Sequence, residues 1–169
     1  ERAQNKNMLG TYPACHTGVT CVPITPVGSG MTFDCAYVEA AGEDRGHVYA
    51  MHGNDGKQAK AMFFDLMLQL AALNYSSVSC DARGYSPRAA PPDYRAYHYD
   101  HLAADVVAIV DAMGFSQKFG GKFHLVAHDQ GARVSWHSIA KNITRSRLLS
   151  FTSLSIPHSD VFPDALLSD

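Results

Sequence analysis

The sequence predicts an α/β fold, a mostly parallel sheet with helices on both faces. Two observations carry this. Short apolar runs of strand character alternate with longer segments whose apolar residues recur at helical spacing. Three polar, glycine-bearing corners, His52–Gly56, Asp81–Ser86 and His128–Gly131, each follow one of the short runs. That places them at the carboxyl ends of strands, where ligands gather in such sheets. They are expected to converge on one cleft.

The elements follow in order. Residues 1–30, rich in Gly, Pro and Thr, read as an irregular leader. Met31–Glu39 reads as a strand, closed by the turn Ala40–Gly46, and His47–Met51 as a second strand that completes an initial hairpin. Lys57–Leu73 carries Ala61, Phe64, Leu68 and Ala71 at helical spacing, so its Met and Phe residues are expected in the core. Ser76–Cys80 is a strand. Ala89–Tyr97 is a Pro-rich loop. Asp100–Met113 is a helix with Leu102, Val106, Ile109, Val110 and Met113 on one face. Phe123–Ala127 is a strand, Ala132–Lys141 a helix and Leu148–Ile156 a last strand. After the hairpin the order is therefore β-α-β-α-β-α-β, which right-handed crossovers fold into a parallel sheet.

A 169-residue chain with 46% hydrophobic and 18% charged residues suits one globular domain with a real core. A formal net charge of -2 points away from nucleic acid, whose binders usually show a basic face. No apolar run approaches the roughly 18 residues of a membrane span. The start, Glu1-Arg2-Ala3-Gln4, looks like a processed or trimmed end. Three of four cysteines (Cys15, Cys21, Cys35) lie near the start, with Cys80 apart. A disulfide such as Cys15–Cys21 competes with buried free thiols as their explanation. Two N-x-[ST] sequons, Asn74-Tyr75-Ser76 and Asn142-Ile143-Thr144, add a weak lean toward a secreted or organelle-lumen location. His98-Tyr99-Asp100-His101 reads as a helix start, there is no CxxC pair, and neither Gly28-Ser29-Gly30 nor Gly120-Gly121 sits in a dinucleotide fingerprint. No metal or other cofactor is expected. Tyr94, Tyr97 and Tyr99 could line a cleft entrance, with packing in their loop the plainer expectation.

The decisive stretch is Lys122–Val134, where an apolar strand breaks into His128-Asp129-Gln130-Gly131 and then a helix. A sharp strand-to-helix turn with small residues two places either side of its tip is a nucleophile elbow, and Ala127, Asp129 and Gly131 fill those places. A carboxylate there faces the positive end of a helix and can attack an electrophilic carbon to form an ester. The plainer alternative is that Asp129 only caps the helix.

Four motifs in register resemble the α/β-hydrolase superfamily, in its epoxide hydrolase and haloalkane dehalogenase branch, over about residues 31–169. His52-Gly53 resembles the HG turn after the third strand. Asp81-Ala82-Arg83-Gly84-Tyr85-Ser86 resembles D-x-R-G-Y-[GS]. Ala127-His128-Asp129-Gln130-Gly131-Ala132 resembles the G-H-D-x-G-[AG] elbow. Leu154-Ser155-Ile156-Pro157-His158-Ser159 resembles L-x-[VI]-P-H-P. The resemblance implies an α/β-hydrolase-like fold, Asp129 as nucleophile, and an oxyanion hole from the backbone N–H groups of Asn54 and Gln130. His52 would buttress that loop, Arg83 and Tyr85 would tie it to the sheet, and His128 would be scaffold. The substrate would be a small organic electrophile such as an epoxide.

The departures matter as much. Asp55 stands where the family has Pro, adding a carboxylate beside the oxyanion hole. Gln130 replaces the usual Trp, which in dehalogenases helps bind the leaving halide. Arg133, one turn along the helix, could meet a carboxylate-bearing substrate or simply face solvent. The cap, and the late His that activates water, would fall beyond Asp169. None of the nine His residues takes that late position, and Asp160 and Asp164 near the acid's place would have no His to orient. Two readings stay open. The chain is the N-terminal part of an Asp-nucleophile hydrolase, or it is a non-catalytic, hydrolase-derived subunit of a larger assembly. In both, the Leu148–Ile156 edge needs a cover, from a second segment or a protein partner.

Overall fold

The computed structural model describes residues 14–54, 56, 59–158 and 160. Asp55, Asp164 and the first residues of the expected Lys57–Leu73 helix lie outside them.

Seven strands form one sheet among the described residues: β1 (Ala14–His16), β2 (Val19–Ile24), β3 (Phe33–Val38), β4 (Gly46–Met51), β5 (Tyr75–Cys80), β6 (Phe123–His128) and β7 (Leu148–Leu154). Their spatial order is β1-β2-β3-β5-β4-β6-β7. Pairing is antiparallel from β1 through β3 to β5, and parallel across β5, β4, β6 and β7. Only β1 and β3 run against the rest, so the sheet is mixed but mostly parallel.

Among the described residues three α-helices cover it: α1 (Phe64–Ala72, entered through a 3₁₀ turn at Ala59–Phe63), α2 (Tyr99–Ala112) and α3 (Gln130–Ala140). Strand alternation sorts the core into two layers. Phe33, Cys35, Tyr37, Tyr49 and Met51 join Val106, Ile109 and Val110 of α2 and Val134 of α3 on one face. Ala36, Val38 and Ala50 join Phe63, Met67 and Ala71 on the other. Truncating a fully enclosed residue such as Ile109 should cost about 2–5 kcal/mol. Met62, expected in the core, is exposed at 43% because it faces away from the sheet just before α1 begins.

Two sequence expectations fail here. Residues 14–24 are not irregular: they form the β1–β2 hairpin, which extends the sheet through β3, and Cys15–Cys21 closes it covalently. The expected pairing of β3 with β4 does not occur either. The segment between them crosses the α1–β5 corner, where Ala41 N–H donates to Ala71 O and Arg45 N–H to Asn74 O. β5 is thereby inserted between β3 and β4. The reason lies in β4 itself. All six of its residues are buried, so it needs neighbours on both sides and layers on both faces.

All four cysteines are paired, Cys15 with Cys21 and Cys35 with Cys80. The second bond joins directly opposed residues of β3 and β5. No helix of the described residues is long and apolar enough to cross a membrane.

Candidate active site

The elbow is built from β6, α3 and the end of β4. Asp129 has φ 48° and ψ −119°, a conformation that costs a non-glycine residue about 1–3 kcal/mol. Its surroundings enforce it. Asp129 N–H donates to Leu154 O at 3.3 Å, and its carbonyl accepts from Arg133 N–H at 3.2 Å. Gly131 lets the first turn of α3 lie against β4. A Cβ there would come within 2.5 Å of His52 O and 2.6 Å of Met51 O. Gly53 does the same from the other side, since its Cβ would sit 2.5 Å from Asp129 Cβ.

Asp129 occupies the backbone position of an N-cap, yet its side chain makes no capping hydrogen bond. The carboxylate turns instead toward the β4 corner, where Oδ2 accepts Asn54 N–H at 3.0 Å. That hydrogen bond is the main reason its pKa falls below the ordinary Asp value; desolvation opposes it, and the Gln130 N–H and the charges of His128 and Arg133 add smaller downward pulls. An ionised carboxylate with one oxygen anchored on backbone N–H groups leaves the other oxygen able to attack.

The three polar corners meet here. His52, 2% exposed, contacts Gly53 O through Nδ1 at 2.7 Å and accepts Ala82 N–H on Nε2 at 2.9 Å. With one ring nitrogen donating to a carbonyl and the other accepting, this imidazole holds two loops together. Tyr85 O–H donates to Asn54 Oδ1 at 2.8 Å and so fixes the side chain of the residue that offers its N–H to Asp129. Arg83 grips Asp105 with two nitrogens, at 2.9 and 2.7 Å, and donates to Ala96 O at 2.7 Å. His128 ends β6, half-buried.

Gln130 and Arg133 depart from the corner. Gln130 Nε2 donates to Tyr99 O–H at 2.9 Å, linking the residue after Asp129 to the start of α2. Tyr99 therefore does more than pack in its loop. Arg133 is exposed and lines a groove of about 620 Å³ with Tyr99, Trp136, His137, Ile156 and His158. Asp129 itself does not line it.

Two charged groups of this region escaped the sequence reading. Lys60, 7% exposed, forms a buried ion pair with Asp81, and its N–H also donates to Asp81 Oδ1 at 3.0 Å. Asp105, 8% exposed, is the buried partner of Arg83. Each left a signal: a lone Lys in the apolar run Ala59–Phe64, and a lone Asp on the apolar face of α2. Among the described residues no group of three or more His, Cys, Asp or Glu could hold a metal ion.

Comparison with known proteins agrees with this fold. The family model described as alpha/beta hydrolase fold matches residues 46–168. Epoxide hydrolase 2 of Siraitia grosvenorii is 34% identical over 71 residues, covering 42% of this chain and 21% of that protein. Epoxide hydrolase 4 of Mus musculus is 30% identical over 93 residues, 55% of this chain and 24% of its own length. The crystal structure of epoxide hydrolase VrEH1 from Vigna radiata superposes with a TM-score of 0.69 at 26% identity, over 83% of this chain and 41% of that one. An epoxide hydrolase from an endophytic Streptomyces reaches a TM-score of 0.71 at 22% identity, which speaks to the fold alone. The chain thus spans about a quarter or less of these curated relatives and about two-fifths of the solved structures, matching their N-terminal portion. With the elbow, the parallel sheet and the matched model in agreement, the chain belongs to the alpha/beta hydrolase fold family and resembles its epoxide hydrolases.

Proposed function

We propose that Asp129 is the nucleophile of an epoxide-opening hydrolase. One observation carries the reading: a strained, ionised Asp at the elbow that does not cap its helix but rests on Asn54 N–H. An Asp129 oxygen attacks an epoxide carbon. The ring C–O bond breaks, the alkoxide takes a proton, and a hydroxyalkyl ester remains. The N–H groups of Asn54 and Gln130 then stabilise the oxyanion that forms when water attacks the ester carbonyl. We assign activation of that water to a His outside residues 1–169, since His52 already engages Gly53 and Ala82 through its two nitrogens. Hydrolysis releases a diol and restores the carboxylate. His52, Gly53, Arg83 and His128 support the loop geometry.

The test is covalent labelling of the 169-residue chain with an isotopically tagged terminal epoxide, followed by intact mass and peptide mapping. One ester, on Asp129, is expected to persist, and D129N should take up none. Uptake that is absent, or indifferent to D129N, sinks the proposal.

A second reading has its own observation. Gln130 is tied to Tyr99 rather than offering an indole to a substrate, and the β7 edge exposes Leu149 and Leu154. A non-catalytic subunit covered at β7 by a protein partner would take no label and would be recovered in a larger assembly. In either case, pairing of all four cysteines favours a secreted or lumenal place of action.

A further inference from the structure

Both sequons sit at the same kind of corner. Asn74 and Asn142 each follow the C-cap residue of a helix, Leu73 of α1 and Lys141 of α3, and both are left-handed, with φ 67° and 58°. Asn is one of the few residues other than Gly that accepts this place, so helix termination alone explains an Asn at either corner.

Their side chains differ. Asn74 is half-buried and packs on Gly42: a Cβ at Gly42 would lie 2.9 Å from its Oδ1 and 3.6 Å from its Nδ2. Its backbone is held on both sides, donating to Ala71 O and accepting from Arg45 N–H, and β5 begins at the next residue. A sugar added to that Nδ2 before folding would have to displace the Gly42 contact for the α1–β5 corner to close. Asn142 is exposed, and only its backbone is engaged, through N–H donation to Ile139 O at 3.0 Å. It lies at the end of α3 remote from Asp129, so a large adduct there leaves the elbow open.

We infer that Asn142 is an N-glycosylation site and that Asn74 is not. In the transfer, the Asn142 amide nitrogen bonds to the anomeric carbon of a lipid-diphosphate-linked oligosaccharide. The bond from that carbon to the phosphate oxygen breaks, the lipid diphosphate leaves and the amide loses one proton. The folded structure also sets the timing. Thr144 is fully buried, with its hydroxyl 2.7 Å from Ser138 Oγ, so the sequon is presented before the α3–β7 corner closes. The pairing of all four cysteines supplies the second line of support, because it marks a chain that matures where such donors are used.

The experiment is peptide mapping of the full-length protein from its own source, before and after enzymatic deglycosylation in heavy-oxygen water, with disulfides scored in the same digest. Heavy Asp at position 142, unmodified Asn74 and paired cysteines are expected. N142G keeps the left-handed cap but removes the acceptor, and should lose the glycan while folding normally. N74G should keep it. An unmodified Asn142, or a glycan on Asn74, overturns the inference.

Discussion

The two ends of β4 use the same residue types for opposite purposes. At the amino end Asp44 is saturated. It accepts from Gly46 N–H and Ser76 N–H at 3.3 Å, from Ser76 Oγ at 2.9 Å, and meets His47 Nε2 at 3.0 Å, with Lys118 3.9 Å away. His47, 4% exposed, stacks on Phe115 at 3.9 Å. At the carboxyl end Asp129, half-buried, sits in a costly backbone conformation with one oxygen anchored on Asn54 N–H. A carboxylate whose acceptor sites are filled by its own chain holds the fold. One left partly unfilled on a strained residue is available for chemistry.

Changes at the two ends should rank accordingly. The largest effect is expected from R83M, which strands Asp105 as a buried charge behind the site. Loss of about 3–5 kcal/mol in urea unfolding is expected, and a loss below about 1 kcal/mol would show that water reaches Asp105 and that this carboxylate is not internally held.

D44A comes next. It removes the shared partner of His47 and Ser76, and should cost about 2–3 kcal/mol, read from the same unfolding curves.

A smaller effect concerns pH. Burial pushes the His47 pKa below its ordinary value despite the opposing charge of Asp44. Protonation therefore favours the unfolded chain, whose His titrates near about 6.5. Stability should fall as pH drops from neutral through that value, and H47Q should flatten the slope. A slope unchanged in H47Q would assign it to another group.

D129N should shift stability by no more than about 0.5 kcal/mol, yet abolish epoxide labelling. Because Asn54 N–H lowers the Asp129 pKa, labelling of the unaltered chain should hold to lower pH than that of an ordinary Asp, which titrates near about 3.9. A fall beginning well above that would place the titrating group elsewhere.

How much of this was legible in the sequence varies by region. The parallel half was, because β4, β6 and their helices have strong periodicity and their corners carry glycines that only tight approaches explain. The elbow was legible in kind, through Ala127, Asp129 and Gly131. That Asp129 does not cap its helix was not, since capping and non-capping Asp share one sequence pattern and differ only in what lies across the corner. The antiparallel half was misread. Residues 14–24 have turn-rich composition, and their strand state comes from pairing with β3 and from the Cys15–Cys21 link, both non-local. The β3–β4 hairpin failed for a related reason. A turn of that length permits direct pairing, but burial of every β4 side chain demands two neighbours, and β5 arrives later in the chain to supply one. Lys60–Asp81 and Arg83–Asp105 were hidden because a buried charge is intelligible only beside its partner.

The Cys35–Cys80 bond, which joins opposed residues of β3 and β5, makes residues 35–80 a closed ring. β4, the His52–Asn54 corner and α1 all lie on it. A protease that nicks the chain once anywhere inside the ring, for instance at the exposed segment Ala41–Glu43, frees no fragment. The cut protein would still migrate as one piece until a reductant opens the bond, and the His52–Asn54 corner would stay attached to the sheet through it.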